Sequence, residues 1–76
     1  MSRYHFHVRE NGRLIRDEKG QEFQDKDAAR KEAVETGASI ARDAFMAGSA
    51  RLVEVDVQRE EETCLKVSIS LRVEER

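Results

Sequence analysis

The chain has 76 residues, 39% of them charged, and its 14 basic and 16 acidic side chains nearly balance to a net charge of -2. So short a chain forms one domain at most, which we predict over residues 1–76, and its only cysteine, Cys64, excludes an intrachain disulfide. Nonspecific nucleic-acid binders are normally basic. Without an apolar run long enough for a signal peptide or a membrane span, we expect a soluble cytoplasmic protein that does not contact the membrane.

The first predicted element is a strand from Tyr4 to Val8, because polar and apolar residues alternate strictly there. One side of the strand carries Tyr4, Phe6 and Val8, and the other carries His5, His7 and Arg9. Asn11-Gly12 follows, the dipeptide that best fits the two positive φ angles of a type I′ hairpin turn.

A two-residue turn fixes the register of the strand that returns from it. Glu10 faces Arg13, Arg9 faces Leu14 and Val8 faces Ile15. Continued further, the same register sets His7 against Arg16 and His5 against Glu18. We therefore predict that the histidines lie on the outer face of a hairpin.

A helix from about Lys26 to Ala47 comes next, with Asp25 or Asp27 as its N-cap and Gly48 as the left-handed residue that ends it. One half of its helical wheel is apolar and rich in alanine, and includes Ala29, Ala33, Val34, Gly37, Ala38, Ile40, Ala41, Ala44 and Phe45. Gly37 in mid-helix costs about 1 kcal/mol relative to alanine, so we expect it to approach a neighbouring backbone closely.

Two more alternating segments follow, one over Val53–Val57 and one from Leu65 to Val73. For Val57 and Leu65 to share a face, the loop between the strands must hold an odd number of residues, most simply Glu60-Glu61-Glu62. Asp56 then pairs with Lys66 across the strands.

The order ββαββ predicts an α+β fold of two layers, a four-stranded antiparallel sheet with one helix packed on one face. If the helix crosses back over the sheet, the strand order is second, first, third, fourth. The opposite face of the sheet is polar and carries His5, His7, Arg9, Arg16, Glu54, Asp56, Cys64, Lys66 and Arg72. That face meets water or a second copy of the chain.

His5-x-His7 is the one pattern that suggests a metal site, because residues two apart on a strand point the same way, about 6.5–7 Å apart. Glu18 or Cys64 would be a third ligand. Arg16 beside His7 would repel a bound cation, and two solvated histidines on a strand are the simpler interpretation. We therefore predict no bound metal; if there is one, His5 and His7 are the ligands.

Catalysis and nucleic-acid binding are the remaining alternatives. Cys64 would meet a histidine base only across the sheet, and no nucleophile, phosphate-loop or paired acid–base motif surrounds it. The outward basic residues weakly favour a reader of single strands, but Tyr4 and Phe6 point inward, so the aromatic stacking platform is missing.

The segments RYHFHV, LIRDEKGQEF and DKDAARKEA together resemble a family of short alphaproteobacterial proteins that consist of a domain of unknown function. The resemblance covers the first half of the chain, in the pattern Arg3-Tyr4-x-Phe6-His7-Val8, then Asp17-x-x-Gly20, then Asp25 and an alanine-rich helix start. The family commonly has an aromatic residue in place of His5, and Leu-Pro in place of Phe23-Gln24. It implies the fold, and no activity, substrate or cofactor.

We therefore expect a non-enzymatic binding or adaptor domain without a cofactor. It would act through the polar sheet face, with His5, His7, Arg9 and Arg16 as the candidate binding residues, or through a strand edge, including self-association as a homodimer. The alternatives are a metal-binding or enzymatic protein centred on His5 and His7, and a weak binder of single-stranded nucleic acid.

Overall fold

The computed structural model describes residues 1–76. It contains β1 (Ser2–Glu10), β2 (Arg13–Ile15), β3 (Gln21–Phe23), α1 (Lys26–Ala47), β4 (Leu52–Arg59) and β5 (Glu62–Ser70). The strands form one antiparallel sheet in the order β2-β1-β4-β5, while β3 pairs with the beginning of β1. The α+β fold and the predicted order of the four main strands are confirmed.

The prediction of four strands was one too few. Gln21–Phe23 forms the additional strand β3, which pairs with Ser2–Tyr4. Three residues next to a glycine give no alternating pattern that could be recognised without a pairing partner. Phe23 extends the apolar face, because its ring packs edge-on against the rings of Tyr4 and Phe6 at centroid distances of 6.0 and 5.6 Å.

The first hairpin has the predicted register, with Val8 opposite Ile15, Arg9 opposite Leu14 and Glu10 opposite Arg13. Asn11 and Gly12 have φ angles of 49° and 79°, as a type I′ turn requires. The two pairings predicted beyond Ile15 were wrong: β2 ends there, and neither Arg16 nor Glu18 enters the ladder.

Helix α1 has the predicted bounds. The side chain of Asp25 accepts a hydrogen bond from Ala28 N–H at 2.9 Å, and Gly48 ends the helix with φ 71°. The residues that face the sheet most closely are Ala29, Ala33, Gly37, Ala41 and Ala44, all buried. Val34 and Ala38, which we predicted on the apolar half of the wheel, are exposed. The helix contacts the sheet through small residues, so this contact covers less of the helix circumference than the apolar half of the wheel.

Gly37 does approach its neighbours closely, but these neighbours are side chains and not backbone. A Cβ at this position would lie 2.9 Å from Ile69 Cδ1 and 3.2 Å from Val55 Cγ2. The glycine therefore lets α1 lie directly on β4 and β5. β4 supplies the centre of the core, since its residues Val53, Val55 and Val57 are fully buried beneath the helix.

The second hairpin pairs Val57 with Leu65 and Asp56 with Lys66 as predicted, but its loop is not Glu60-Glu61-Glu62. The turn has two residues, Glu60 and Glu61, and a β-bulge next to Val57 adds the extra residue that parity demands. Lys66 forms its ion pair with Glu54, at 3.1 Å, and not with Asp56.

The bulge residue is Cys64, and it corrects a second prediction. Cys64 packs against the core and its Sγ donates to Val57 O at 3.5 Å, so it does not lie on the polar face. β5 also ends earlier than predicted, at Ser70, because β4 offers no partner beyond Leu52; Leu71 and Val73 are exposed.

Candidate functional site

The largest concavity lies on the outer face of the sheet, opposite the helix, and has a volume of about 510 Å³. No hydrophobic residue lines it. Its lining comes from β1, the loop after β2, β4 and the β4–β5 turn: His5, His7, Arg16, Asp17, Glu18, Gln58, Glu60 and Glu61. We call these eight residues the polar cleft.

Asp17 fastens the loop after β2 to β1. Its Oδ2 accepts a hydrogen bond from Phe6 N–H at 3.1 Å, so this carboxylate replaces the strand carbonyl that β1 lacks between β2 and β3. Its Oδ1 accepts from Gly20 N–H at 3.0 Å and closes the loop on itself. Gly20 has φ 70° and lies so close to Tyr4 and His5 that a Cβ would come within 2.9 Å of each.

The backbone of the same residue orients both histidines. His5 Nδ1 lies 2.9 Å from Asp17 O, and His7 Nδ1 lies 3.1 Å from Asp17 N. A carbonyl oxygen only accepts and an amide N–H only donates, so His5 carries its proton on Nδ1 and the neutral His7 carries its proton on Nε2. The two Nε2 atoms are not bound to Asp17, and they differ: that of neutral His5 accepts, and that of His7 donates.

The Asp17 carboxyl has a pKa below its ordinary value of 3.8. Partial burial acts to raise this pKa, whereas hydrogen bonds from the N–H groups of Gly20 and Phe6 and the charge of His5 lower it by more. Asp17 is therefore ionised through the whole neutral range, and it adds a negative charge to the lining of the cleft.

The other wall of the cleft is a strained turn. Glu60 and Glu61 have φ angles of 55° and 68°, in the left-handed region that residues with a Cβ rarely adopt. The hairpin at the other end of the sheet makes a two-residue turn with Asn11-Gly12, residues that adopt this conformation easily. The β4–β5 turn thus places two glutamates in the lining of the polar cleft, at a backbone cost of about 1–2 kcal/mol per residue.

Charge and hydrogen-bonding groups define what the cleft can bind. Four of its residues are carboxylates, Asp17, Glu18, Glu60 and Glu61, and one is a guanidinium, Arg16. The cleft is therefore negative while both histidines are neutral. Gln58, opposite His5 on β4, adds an amide that both donates and accepts. Such a site suits a cationic group that also donates hydrogen bonds.

Three of the four binding residues predicted from the sequence meet in the polar cleft: His5, His7 and Arg16. Arg9 does not, since it lies nearer the Asn11-Gly12 turn, between Leu14 of β2 and Glu54 of β4.

The sequence patterns indicated Asp17 only as part of Asp17-x-x-Gly20, and they did not indicate that Gln58, Glu60 and Glu61 lie in the cleft. The spacing Asp17-x-x-Gly20 was the available signal for the loop-closing contact of Asp17, because aspartate side chains in turns commonly accept hydrogen bonds from nearby backbone N–H groups. The other three enter the cleft only through the pairing of β4 with β1.

The geometry does not gather metal ligands. The histidine rings lie stacked, 6.2 Å between centroids and 15° between planes, so their nitrogen lone pairs do not converge on one point. No group of three or more His, Cys, Asp or Glu side chains is arranged to hold a metal ion. Cys64 lies on the core side of the sheet, whereas both imidazoles lie on the outer side. Cys64 is therefore not placed to act with them as a third metal ligand or as a nucleophile.

The family model described as a domain of unknown function, DUF6894, matches residues 3–70 of the chain. Apart from Ser2 of β1, the match covers the five strands and the helix, and it extends the resemblance into the second half of the chain. Neither the curated proteins nor the solved structures contain a match to this chain. The single helix lacks the apolar character that a helix needs to cross a membrane.

Proposed function

We propose that this chain, which belongs to the DUF6894 family, is a small non-enzymatic binding domain whose polar cleft takes a cationic side chain, lysine or arginine, from a basic segment of a partner protein. The family assignment carries no activity with it. The proposal therefore depends on the site itself, and on one feature of the site above all.

That feature is the pair of glutamates in the β4–β5 turn. Glu60 and Glu61 both have positive φ, although asparagine and glycine would form the same turn with less strain. Residues in strained backbone conformations cluster at functional sites, so a strained turn that places two carboxylates in the lining of a cleft supports a charge-binding role. A turn with only a structural role would need neither the charge nor the strain.

The neutral histidines complement this charge. His5 presents Nε2 as an acceptor beside the carboxylates, whereas His7 presents Nε2–H as a donor. An arginine or lysine head group donates several hydrogen bonds and accepts none, so His5, Gln58 and the carboxylates match it. His7 can instead donate to a backbone carbonyl of the bound segment. A peptide offers both partners, whereas a free metal ion offers neither.

The same charges argue against a nucleic-acid ligand. Phosphate oxygens would meet Glu18, Glu60 and Glu61 at the cleft, with Arg16 as the one basic residue to offset them. The rest of the outer face is mixed, since Lys66 is already paired with Glu54. A cytoplasmic location and an alphaproteobacterial origin remain predictions that accompany the proposal.

Fluorescence anisotropy with a labelled tetra-arginine peptide tests the proposal. We expect saturable binding to the wild-type protein that weakens as salt is added, because the attraction is largely electrostatic and exposed. Glu60→Gln with Glu61→Gln should weaken binding about tenfold or more, since two charges at the mouth are removed and the turn is kept.

The matched control also removes two negative charges, but from the helix layer of the fold. Glu35→Gln with Asp43→Asn alters exposed positions on α1 and changes the net charge equally. We expect it to bind the peptide as the wild type does. Equal weakening in both double variants would show that only the overall charge matters, and would contradict a site at the polar cleft.

A further inference from the structure

β5 forms a free edge of the sheet. It is nine residues long, pairs only with β4, and lacks proline along its whole length. Edge strands of this length present a row of backbone groups that another strand can bind. Charged side chains often protect such edges, and β5 has one in its regular part, Lys66.

The hydrogen-bonding groups that face outward can be identified. Leu71 N–H donates to Arg51 O at 2.9 Å, and the register is regular from there back to Leu65. Bonded residues alternate along an antiparallel pair, so the odd-numbered residues of this stretch bond to β4. The N–H and C=O groups of Lys66, Ser68 and Ser70 therefore point away from the sheet.

The chain beyond β5 shows what is missing at this edge. The alternation of β5 continues through Leu71 and Val73, but β4 begins at Leu52 and offers no partner for residues past Arg51. Both side chains are exposed, Val73 to 64%, and they line a shallow groove of about 190 Å³ beside Phe45 and Ala50. Leu71 and Val73 therefore continue the strand pattern of β5 without a strand beside them.

We propose that a second copy of this chain pairs with the β5 edge, antiparallel about a two-fold axis at Ser68, so that two sheets join into one. In that register the partner's β5 continues past the end of β4. Leu71 then lies opposite Leu65 of the second copy. The exposed continuation gains the strand that it lacks in the monomer.

The charges fit this pairing. A two-fold axis at Ser68 places Lys66 opposite Ser70 of the second copy. An axis at Val67 would place Lys66 opposite Ser68 of the second copy. In neither register are the Lys66 side chains of the two copies directly opposed. Lys66 Nζ is also held by Glu54 at 3.1 Å, on the side of β4. Within the regular stretch from Leu65 to Leu71 the edge therefore presents no directly opposed like charges to a second copy. The residues of the polar cleft lie elsewhere, so this inference stands independently of the proposed function.

Sedimentation of the intact protein from low to high micromolar concentration tests the pairing. We expect a species of twice the 8.8 kDa mass of one chain. Ser68→Lys should give a monomer over the same range, because it sets lysine against lysine, or against Lys66, in both registers. Ser39→Lys, on the exposed side of α1, adds the same charge and should leave the dimer intact.

A second variant and a measurement on the wild type test the same pairing without added charge. Ser68→Pro removes an outward N–H without breaking a bond to β4, so a folded monomer is expected from it as well. Hydrogen exchange of the wild type needs no variant, and the amides of Lys66, Ser68 and Ser70 should be protected in the dimer. A monomer at every concentration, a dimer that survives both Ser68 variants, or fast exchange at these amides in a dimer would each overturn the inference.

Discussion

The imidazole rings of His5 and His7 lie nearly parallel, with 6.2 Å between their centroids, and each bonds through Nδ1 to the backbone of Asp17. One ring donates to the carbonyl and the other accepts from the amide. A single residue therefore gives two neighbouring histidines opposite roles at the cleft.

The first prediction concerns the tautomers of these rings. In the neutral state His5 should carry its proton on Nδ1 and His7 on Nε2, as read from long-range nitrogen–proton correlations in the NMR spectrum. The chain unfolded in urea serves as the control, because neither ring then has a fixed partner and both should show the same mixture. Identical tautomers in the folded protein would contradict the described contacts.

The second prediction concerns the Asp17 carboxylate. Asp17→Asn should lower the free energy of unfolding at neutral pH by about 1–3 kcal/mol, because the charged acceptor of two backbone N–H groups is lost. The pKa of Asp17 lies below the 3.8 of an unperturbed carboxyl, so its stabilising effect is present above that value and disappears as the pH falls through the folded-state pKa.

Urea unfolding of wild type and Asp17→Asn across the acid range measures this dependence. The difference between the two proteins should be constant near neutrality and should shrink as the pH falls through the folded-state pKa of Asp17, until both proteins carry a neutral side chain there. Asp43→Asn, an exposed change on α1, is the control and should alter stability little at any pH. A difference that grows in acid would mean that the carboxylate is unfavourable in the fold.

The third prediction separates strain from charge in the β4–β5 turn. Glu60→Asn with Glu61→Gly should raise the free energy of unfolding by about 1–2 kcal/mol, because both residues then accept positive φ readily. Glu60→Gln with Glu61→Gln should leave stability nearly unchanged, since the strain remains. Both variants should lose affinity for the basic peptide. Retained affinity in the more stable variant would show that the carboxylates are not needed.

The fourth prediction concerns the close contact at Gly37. Gly37→Ala improves the helix propensity by about 1 kcal/mol, but the new Cβ would lie 3.2 Å from the fully buried Val55 and 2.9 Å from Ile69 Cδ1. We expect a net destabilisation of about 1 kcal/mol, measured by thermal or urea unfolding.

Ile69→Val provides the matched background for this change, because it removes the Cδ1 atom that the alanine would strike. The cost of Gly37→Ala should fall in that background, and the double-mutant cycle gives the coupling directly. The same cost in both backgrounds would mean that Ile69 is not the obstacle.

Local chemistry made much of the fold predictable. Asn11-Gly12 determines a turn type, the turn determines the register of β1 and β2, and Asp25 and Gly48 mark the ends of the helix. These signals act over a few residues, so a single sequence contains them. The pairing of Val57 with Leu65 followed for a similar reason, since parity along two strands is a local constraint.

The polar cleft was only partly predictable, because it depends on where the chain leaves a regular ladder. β2 ends at Ile15, and Asp17 takes over the bonding to β1 through its side chain and its backbone. Parity likewise required an odd number of residues between Val57 and Leu65 but could not distinguish a three-residue loop from a two-residue turn with a bulge at Cys64. That choice decides where Glu60 and Glu61 lie.

The ring signals of His5 and His7 give the most direct test of a cation-binding cleft. N-acetyl-argininamide is added to the wild-type protein and to Glu60→Gln with Glu61→Gln, and the imidazole resonances are followed by NMR. In the wild type we predict saturable chemical-shift changes of both imidazole rings and of the Gln58 amide. In the variant, the same changes should require about tenfold more ligand, because the affinity is lower. Rings that do not respond, or that respond equally in the two proteins, would contradict the account.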